Sequence, residues 1–158
     1  MTTFEYKISS DEIQYFLSNV DDIQSEDPIY FNHFGIVIPV KIQVNGVVIN
    51  EGNTNVLYLA KQFARLALQL QDGAMRVDFE DVESCNKLHL TVQPDDTVIV
   101  TNNLLPFKAT ATKAELIDAF LGFAKEVIDS VSLEVPSILD NPWTTEFYQY
   151  GEFHAVTK

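Results

Sequence analysis

The segment FGIVIPVKIQVNGVVIN, residues 34–50, restricts the fold of this chain more than any other stretch does. Runs rich in β-branched residues flank Asn45 and Gly46, and both residue types accept the positive φ that a two-residue hairpin turn requires. The sequence therefore predicts a β-hairpin. Within it, Pro39 has no N–H to donate to a neighbouring strand, which places its part of the hairpin at a sheet edge or at a bulge.

A helix is predicted directly after the hairpin from the spacing of its apolar residues. Asn53 or Thr54 caps its start, it runs to about Gln71, and Gly73 ends it. Its apolar face comprises Val56, Leu59, Ala60, Phe63, Leu66, Ala67 and Leu70. Its predicted solvent-facing stripe comprises Lys61, Arg65 and Gln69, which follow one another at every fourth position.

The beginning of the chain predicts a strand followed by a short helix. Apolar and polar residues alternate over residues 4–8, as in a half-buried strand. Ser9 and Glu12 then have the spacing of a capping box, which opens a helix to about Val20. The polar and acidic segment DDIQSEDP, residues 21–28, is predicted to be a loop.

A second capping box, Thr112 with Glu115, opens a long helix that runs to about Val131 and has one broad apolar face. Pro136 ends any continuation of this helix. The segment SILDNPWTTEFYQYGEFHAV, residues 137–156, predicts a short helix or turn followed by a strand.

Three short strands are predicted between the two long helices, at about 75–82, 87–93 and 97–101, with a PDD turn at 94–96. A hairpin and then a meander, with amphipathic helices between and after them, is typical of an α+β fold. In this fold an antiparallel sheet carries two main helices on one face. We expect one domain over residues 1–158.

The charge of the chain restricts its partners. Ten Lys and Arg stand against twenty-three Asp and Glu, which gives a formal net charge of −13 and a pI of about 4.4. This charge repels nucleic acid and anionic membrane surfaces, so neither is an expected partner, and it accelerates encounter with basic proteins. The alternative is that the acidity serves solubility alone. A single cysteine, no signal-peptide pattern and no long apolar run favour the cytoplasm.

The segment VDFEDVESCNKLHLTVQ, residues 77–93, raises the question of a metal or catalytic site. Cys85 and His89 lack the second pair of ligands that structural zinc needs, and the nearby carboxylates lack the glycine pivot of a calcium loop. Phosphate-binding loops, dinucleotide fingerprints, nucleophile elbows and zincin motifs are missing from the sequence. We therefore expect no metal, no cofactor and no catalytic residue. The three histidines are His33, His89 and His154.

Strand alternation predicts which of these side chains face solvent. The residues predicted to face inward are Met75, Val77, Phe79, Leu88, Leu90 and Val92. The residues predicted to face outward are Arg76, Asp78, Glu80, Lys87, His89 and Thr91.

An acidic surface is the predicted partner-binding site, because complementary charge raises the association rate and selects the partner. Its carboxylates are Asp78, Glu80, Asp81, Glu83, Asp95 and Asp96. Aromatic residues of the C-terminal segment are the predicted anchors, namely Trp143, Tyr148 and Tyr150. The alternative is that this segment closes the core over the last helix.

A small, acidic α+β chain with acidic DFEDVE and PDD hairpins and no catalytic motif resembles the immunity proteins of bacterial contact-dependent inhibition and other polymorphic toxin systems. The resemblance implies a protein that binds a cognate toxin, often a basic nuclease, and blocks its active site without chemistry of its own. Two alternatives remain open. One is a small enzyme that uses His33 or His89 with a nearby carboxylate. The other is a domain that self-associates through the Pro39 strand or the aromatic tail.

Overall fold

The computed structural model of the chain describes residues 1–20, 22, 23, 26, 27, 31, 35–80 and 87–144. The N-terminal half of the described chain contains β1 (Thr2–Glu5), α1 (Ser10–Ser18), β2 (Val37–Val44), β3 (Val47–Asn55) and α2 (Val56–Gln71). The remainder contains β4 (Arg76–Glu80), β5 (Lys87–Val92), β6 (Thr97–Asn102), β7 (Lys108–Thr112), α3 (Lys113–Glu134) and a 3₁₀ helix (Pro136–Asp140).

The strands form two antiparallel sheets, with the orders β1-β2-β3 and β4-β5-β6-β7. The predicted α+β class, with a hairpin and a meander, is confirmed. The two are separate sheets, however, and among the described strands no pairing joins β1, β2 or β3 to β4, β5, β6 or β7. The sequence analysis also missed β7, whose only inward-facing side chains are Ala109 and Ala111, too small to give a strong apolar pattern.

The predicted hairpin turn is confirmed, with φ values of 48° at Asn45 and 83° at Gly46. Pro39 pairs with Asn53 of β3, whereas β1 pairs with β2 only from Lys41 to Val44. Pro39 therefore lies on a locally open edge, as predicted, although β2 is the central strand of its sheet.

The predicted capping box of α1 is confirmed. The Ser9 side chain accepts the N–H of Glu12, and the Glu12 carboxylate accepts the N–H of Ser9 at 2.8 Å. In α2 the cap is Asn55, whose Oδ1 accepts the N–H of Tyr58 at 3.3 Å. The prediction of Asn53 or Thr54 was wrong because β3 continues through Asn55 before the helix begins.

The long helix α3 begins at the predicted cap, with the Thr112 hydroxyl accepting the N–H of Glu115 at 3.2 Å, but the Glu115 carboxylate does not complete the predicted capping box. The Glu115 carboxylate accepts a hydrogen bond from the hydroxyl of Thr2 at 3.4 Å, so it links the helix to β1. The helix continues to Glu134, beyond the predicted end at Val131, and the 3₁₀ helix follows.

Lys61 departs from the prediction for α2. Its residue is only 6% exposed, and its Nζ lies 4.9 Å from the centroid of the Trp143 ring, within the range of a cation–π contact. The chain that follows α3 brings Trp143 onto this side of α2, a long-range contact that helical spacing does not encode. The solvent-facing stripe is therefore reduced to Arg65 and Gln69, both partly buried.

Aromatic rings join the layers of the fold. The rings of Phe4 in β1 and Phe123 in α3 stack with centroids 4.2 Å apart, and Phe63 of α2 meets Phe120 of α3 at 4.7 Å. The buried apolar residues of both sheets and of both long helices belong to one core cluster. Among the described residues, no helix combines the length and the apolar character that a membrane crossing requires.

Candidate functional site

The outer face of β4 and β5 carries two carboxylates of the predicted acidic site, Asp78 and Glu80. Val77 and Phe79 are buried, so Asp78 and Glu80 point to solvent as predicted. Met75 was predicted to face inward but is 59% exposed, because β4 begins only at Arg76 and the alternation does not extend before it. Across the ladder, Asp78 is paired with His89 and Glu80 with Lys87. We call Arg76, Asp78, Glu80, Lys87 and His89 the β4–β5 face.

The carboxylates of the β4–β5 face have cationic partners within that face. Nδ1 of His89 lies 2.6 Å from Oδ1 of Asp78, and Nε of Arg76 lies 3.3 Å from the same oxygen. The hydrogen bond from His89, with a smaller contribution from Arg76, outweighs desolvation and holds the pKa of Asp78 below its ordinary value. Glu80 is 3.7 Å from Nζ of Lys87. This face is consequently close to neutral in charge, unlike the chain as a whole.

A shallow cavity of about 490 Å³ lies beside the β4–β5 face and is also lined by Tyr58, Gln62 and Arg65 of α2. The Arg65 guanidinium donates to Gln62 at 2.8 Å and to the carbonyl of Asp78 at 3.2 Å. The lining is thus mainly charged and amide side chains, whereas substrate pockets are mostly apolar.

Asp95 and Asp96 lie in the turn between β5 and β6, at the end of the sheet where β4 begins. Glu80 lies at the other end of β4. Hydrogen bonds from the N–H and hydroxyl of Thr97 lower the pKa of Asp95, and Asp96 lies 3.6 Å from Nζ of Lys113. These two carboxylates therefore do not form one continuous patch with the β4–β5 face.

The remaining predicted residues divide into two groups. Trp143 is buried at 1% exposure and packs 5.4 Å from the ring of Phe31, which favours the alternative in which this part of the tail closes the core. Outside the described residues lie Asp81, Glu83, Cys85, Tyr148 and Tyr150, together with His33 and His154.

A second acidic surface runs along α1 and α3, and the sequence analysis did not single it out. The hydroxyl of Tyr6 donates to Glu126 at 2.7 Å, and the hydroxyl of Ser10 donates to Glu134 at 2.5 Å. Burial, followed by the hydrogen bond and the charge of Glu126, raises the pKa of Tyr6, so this donor keeps its proton over the physiological range. The carboxylate of Glu12 accepts from the hydroxyl of Ser9 as well as from its N–H. We call Glu12, Glu126 and Glu134 the hydroxyl-held carboxylates.

The hydrogen-bond donors that hold the hydroxyl-held carboxylates are uncharged. Within the described chain, no Lys or Arg lies within ion-pairing distance of any of the three. One signal in the sequence points to this region, because residues 5–27 contain seven Asp and Glu and a single Lys. What the sequence could not supply is the placement of α1 against α3, which joins residues more than a hundred positions apart.

In the part of the chain that is described, no three His, Cys, Asp or Glu side chains converge as metal ligands would. Comparison with protein-family models, with curated proteins and with solved structures finds no match to this chain.

Proposed function

We propose that this chain is a cytoplasmic binding protein that neutralises a basic protein toxin by covering a cationic surface of it. The observation that carries the proposal is the row of hydroxyl-held carboxylates, which neutral donors hold in place and which form no ion pair with any described Lys or Arg. Such a row attracts a basic surface over several ångströms, raises the association rate and disfavours acidic partners.

The hydroxyl-held carboxylates suit this role better than the β4–β5 face does. A partner that binds Asp78 or Glu80 has to compete with Arg76, His89 and Lys87, which already occupy those carboxylates. A partner that binds Glu134 displaces only a hydroxyl donor, Ser10. Replacing a neutral donor by a cation strengthens the hydrogen bond to the carboxylate, because charge-assisted hydrogen bonds are roughly twice as strong as neutral ones.

We infer a toxin as the class of partner from the resemblance to the immunity proteins of polymorphic toxin systems. Those proteins inhibit their toxins by binding them. The charge of the carboxylates suits this role. A nuclease that holds a phosphate backbone presents a cationic cleft, in which ordered carboxylates occupy the positions that phosphates would take.

The test is to isolate the partner and measure its association at two salt concentrations. Tagged protein is used to purify interacting chains from a lysate of its source, and one stoichiometric basic chain is expected. Association rates with that chain are then compared for two double variants of equal charge change, Glu126→Lys with Glu134→Lys and Asp78→Lys with Glu80→Lys.

We expect the first double variant to slow association by about tenfold at low ionic strength and by much less at high salt, because screening shortens the range of the field. We expect the second double variant to have the smaller effect. A single-site control is Asp72→Lys, an exposed position at the end of α2 that carries half the charge change of the double variants. No basic partner, or association rates that none of these changes affects, would contradict the proposal.

A second candidate function rests on the contact between His89 and Asp78. A carboxylate 2.6 Å from Nδ1 orients the imidazole, and no described residue bonds to Nε2, which is therefore the candidate proton acceptor for general acid–base catalysis. The assay is hydrolysis of nitrophenyl esters and phosphodiesters by the wild-type protein and by His89→Gln. Turnover that His89→Gln abolishes supports the enzyme, whereas equal background rates exclude it for these substrates.

A further inference from the structure

The central strand β2 has an open edge over its first half. Its pairing with β1 ends at Lys41, opposite Glu5, and the chain then leaves the sheet and enters α1. On its other side β2 remains paired with β3 as far as Val37. Within the described residues, no strand pairs with this edge between Val37 and Val40.

The direction of the backbone groups on this edge follows from their partners on the opposite side. The carbonyl of Val40 accepts from the side chain of Asn50, and the carbonyl of Ile36 accepts from the N–H of Val56. The backbone N–H and C=O groups of the even-numbered residues therefore point towards β3 and the start of α2. Those of the odd-numbered residues point towards the open edge. The edge consequently offers both backbone groups of Val37 but only the carbonyl of Pro39.

Two adjoining cavities follow this edge, of about 590 Å³ and 260 Å³, and Glu12 lines both of them. On one side they are bounded by β2 and the residues before it, between Gly35 and Lys41, and the larger cavity extends across β2 to Glu51 and Gly52 of β3. On the other side lie α1 and the chain that leads into it. At the rise of a strand, residues 35–41 span about 20 Å, which accommodates roughly six residues of extended chain. We call this the α1–β2 groove.

The chemistry of the α1–β2 groove is mixed, with an acidic excess and two apolar contacts. Tyr15 and Val37 are 76% and 58% exposed at one end, although both are large apolar side chains. The carboxylates lining the groove are Glu5, Asp11, Glu12 and Glu51, and the cations are Lys7 and Lys41. The backbone groups of Val37 add one donor and one acceptor at the same end.

We infer that the α1–β2 groove binds an extended, Lys- or Arg-bearing segment of the basic partner, with one apolar side chain packed between Tyr15 and Val37. This inference rests on the proposed function and names the surface and the type of segment that it uses. The segment lies beside β2, exchanges backbone hydrogen bonds with Val37, and directs its cations towards Asp11 and Glu12. Pro39 ends the backbone pairing, so side chains determine the rest of the contact.

A second copy of this chain is a poorer occupant of the groove. Two copies that pair along β2 bring two chains of formal charge −13 together and place the acidic groove of one against that of the other. Charge therefore favours a cationic segment over self-association.

The test uses a defined probe, an acetylated and amidated six-residue peptide of alternating arginine and valine, with a control peptide in which glutamate replaces arginine. Binding to the full chain is followed by ¹H–¹⁵N NMR. We expect the arginine peptide to shift the amide signals of Gly35, Val37 and Tyr15, and the glutamate peptide to shift none of them.

Tyr15→Ala and Val37→Asn are each expected to lower the affinity for the arginine peptide by at least about fivefold. This is the loss typical of a buried interface contact. Asp72→Asn, outside the groove, is expected to leave its affinity within about twofold. A titration of the protein alone, from low to high concentration, tests for self-association through the same signals.

Several results would overturn the inference. If the arginine peptide is still preferred but shifts only the signals of another surface, the groove is excluded as the binding site. The proposed function then remains intact. Equal shifts with both peptides, or full affinity in Tyr15→Ala and Val37→Asn, exclude a cationic segment at this place. Concentration-dependent shifts at Val37 without peptide assign the groove to a second copy. The proposed function is contradicted separately, by the absence of any basic protein partner.

Discussion

Replacing Asn141 by alanine should destabilise this protein more than most single substitutions do. The residue is fully buried, and its Nδ2 donates to the carbonyls of Ile23 and Glu26, both at 2.9 Å. Its Oδ1 accepts the N–H of Trp143, also at 2.9 Å. One side chain thus satisfies three backbone groups that lie far apart in the sequence.

The magnitude follows from those three groups. A buried polar group that loses its partner costs about 1–3 kcal/mol, although water and local movement recover part of that cost where a carbonyl is near the surface. The Nδ2 bond to Ile23 is fully buried, whereas the one to Glu26 is only partly buried. We therefore expect Asn141→Ala to lower the free energy of unfolding by about 4 kcal/mol, at the upper end of the usual range.

The assay is equilibrium unfolding in urea, followed by circular dichroism. With a slope of about 2 kcal/mol per molar, the midpoint should fall by about 2 M. The variant Asn141→Asp is a sharper test. It keeps the acceptor for the N–H of Trp143, but it places a carboxyl oxygen where Nδ2 donated to the carbonyls of Ile23 and Glu26. Burial raises the pKa of this introduced carboxyl in the folded state, so the variant should gain stability relative to wild type as the pH falls.

A midpoint change below about 0.5 M for Asn141→Ala would refute the reasoning. The same holds for an Asn141→Asp variant whose stability relative to wild type does not depend on pH. Either result would mean that the three backbone groups find other partners at little cost.

Gly35→Ala should destabilise by about 2 kcal/mol in the same assay, because its Cβ would lie 2.1 Å from Oδ1 of Asn55 and displace the cap of α2. Gly122→Ala is the opposite case: nothing lies within 4 Å of its Cβ in the interior of α3, so a gain of about 0.5–1 kcal/mol is expected. His89→Gln should raise the pKa of Asp78 towards its ordinary value in an NMR titration, since the hydrogen bond from His89 is the main cause of the depression. In wild type, the stabilisation from this depressed pKa is present at neutral pH and is lost as the pH falls through the folded-state pKa of Asp78. An unchanged Asp78 titration in His89→Gln would contradict that assignment.

The parts of the fold that were predicted correctly depend on residues close together in the sequence. The turn at Asn45 and Gly46 requires only positive φ at two neighbouring positions, and the cap of α1 requires only Ser9 and Glu12. Their energies are decided within a few residues, so the local sequence is enough.

The errors arose where distant residues meet. Lys61 has the spacing of a solvent-facing residue, and only the return of Trp143 over α2 buries it. The same applies to the candidate site: alternation correctly placed Asp78 on the outer face, but its neutralisation by Arg76 and His89 depends on the strand register. Without that register, a row of carboxylates in the sequence is easily mistaken for an acidic surface.

The pairing of α1 with α3 determines when the acidic surface comes into existence during synthesis. Tyr6 and Ser10 leave the ribosome before their partners Glu126 and Glu134, which follow 120 and 124 residues later. At typical elongation rates this interval lasts roughly 6–25 s. Until α3 has emerged, the nascent chain can form the hairpin but not the row of hydroxyl-held carboxylates. A chain truncated before Glu126 would therefore carry most of the acidic residues of this protein without the surface that orders them.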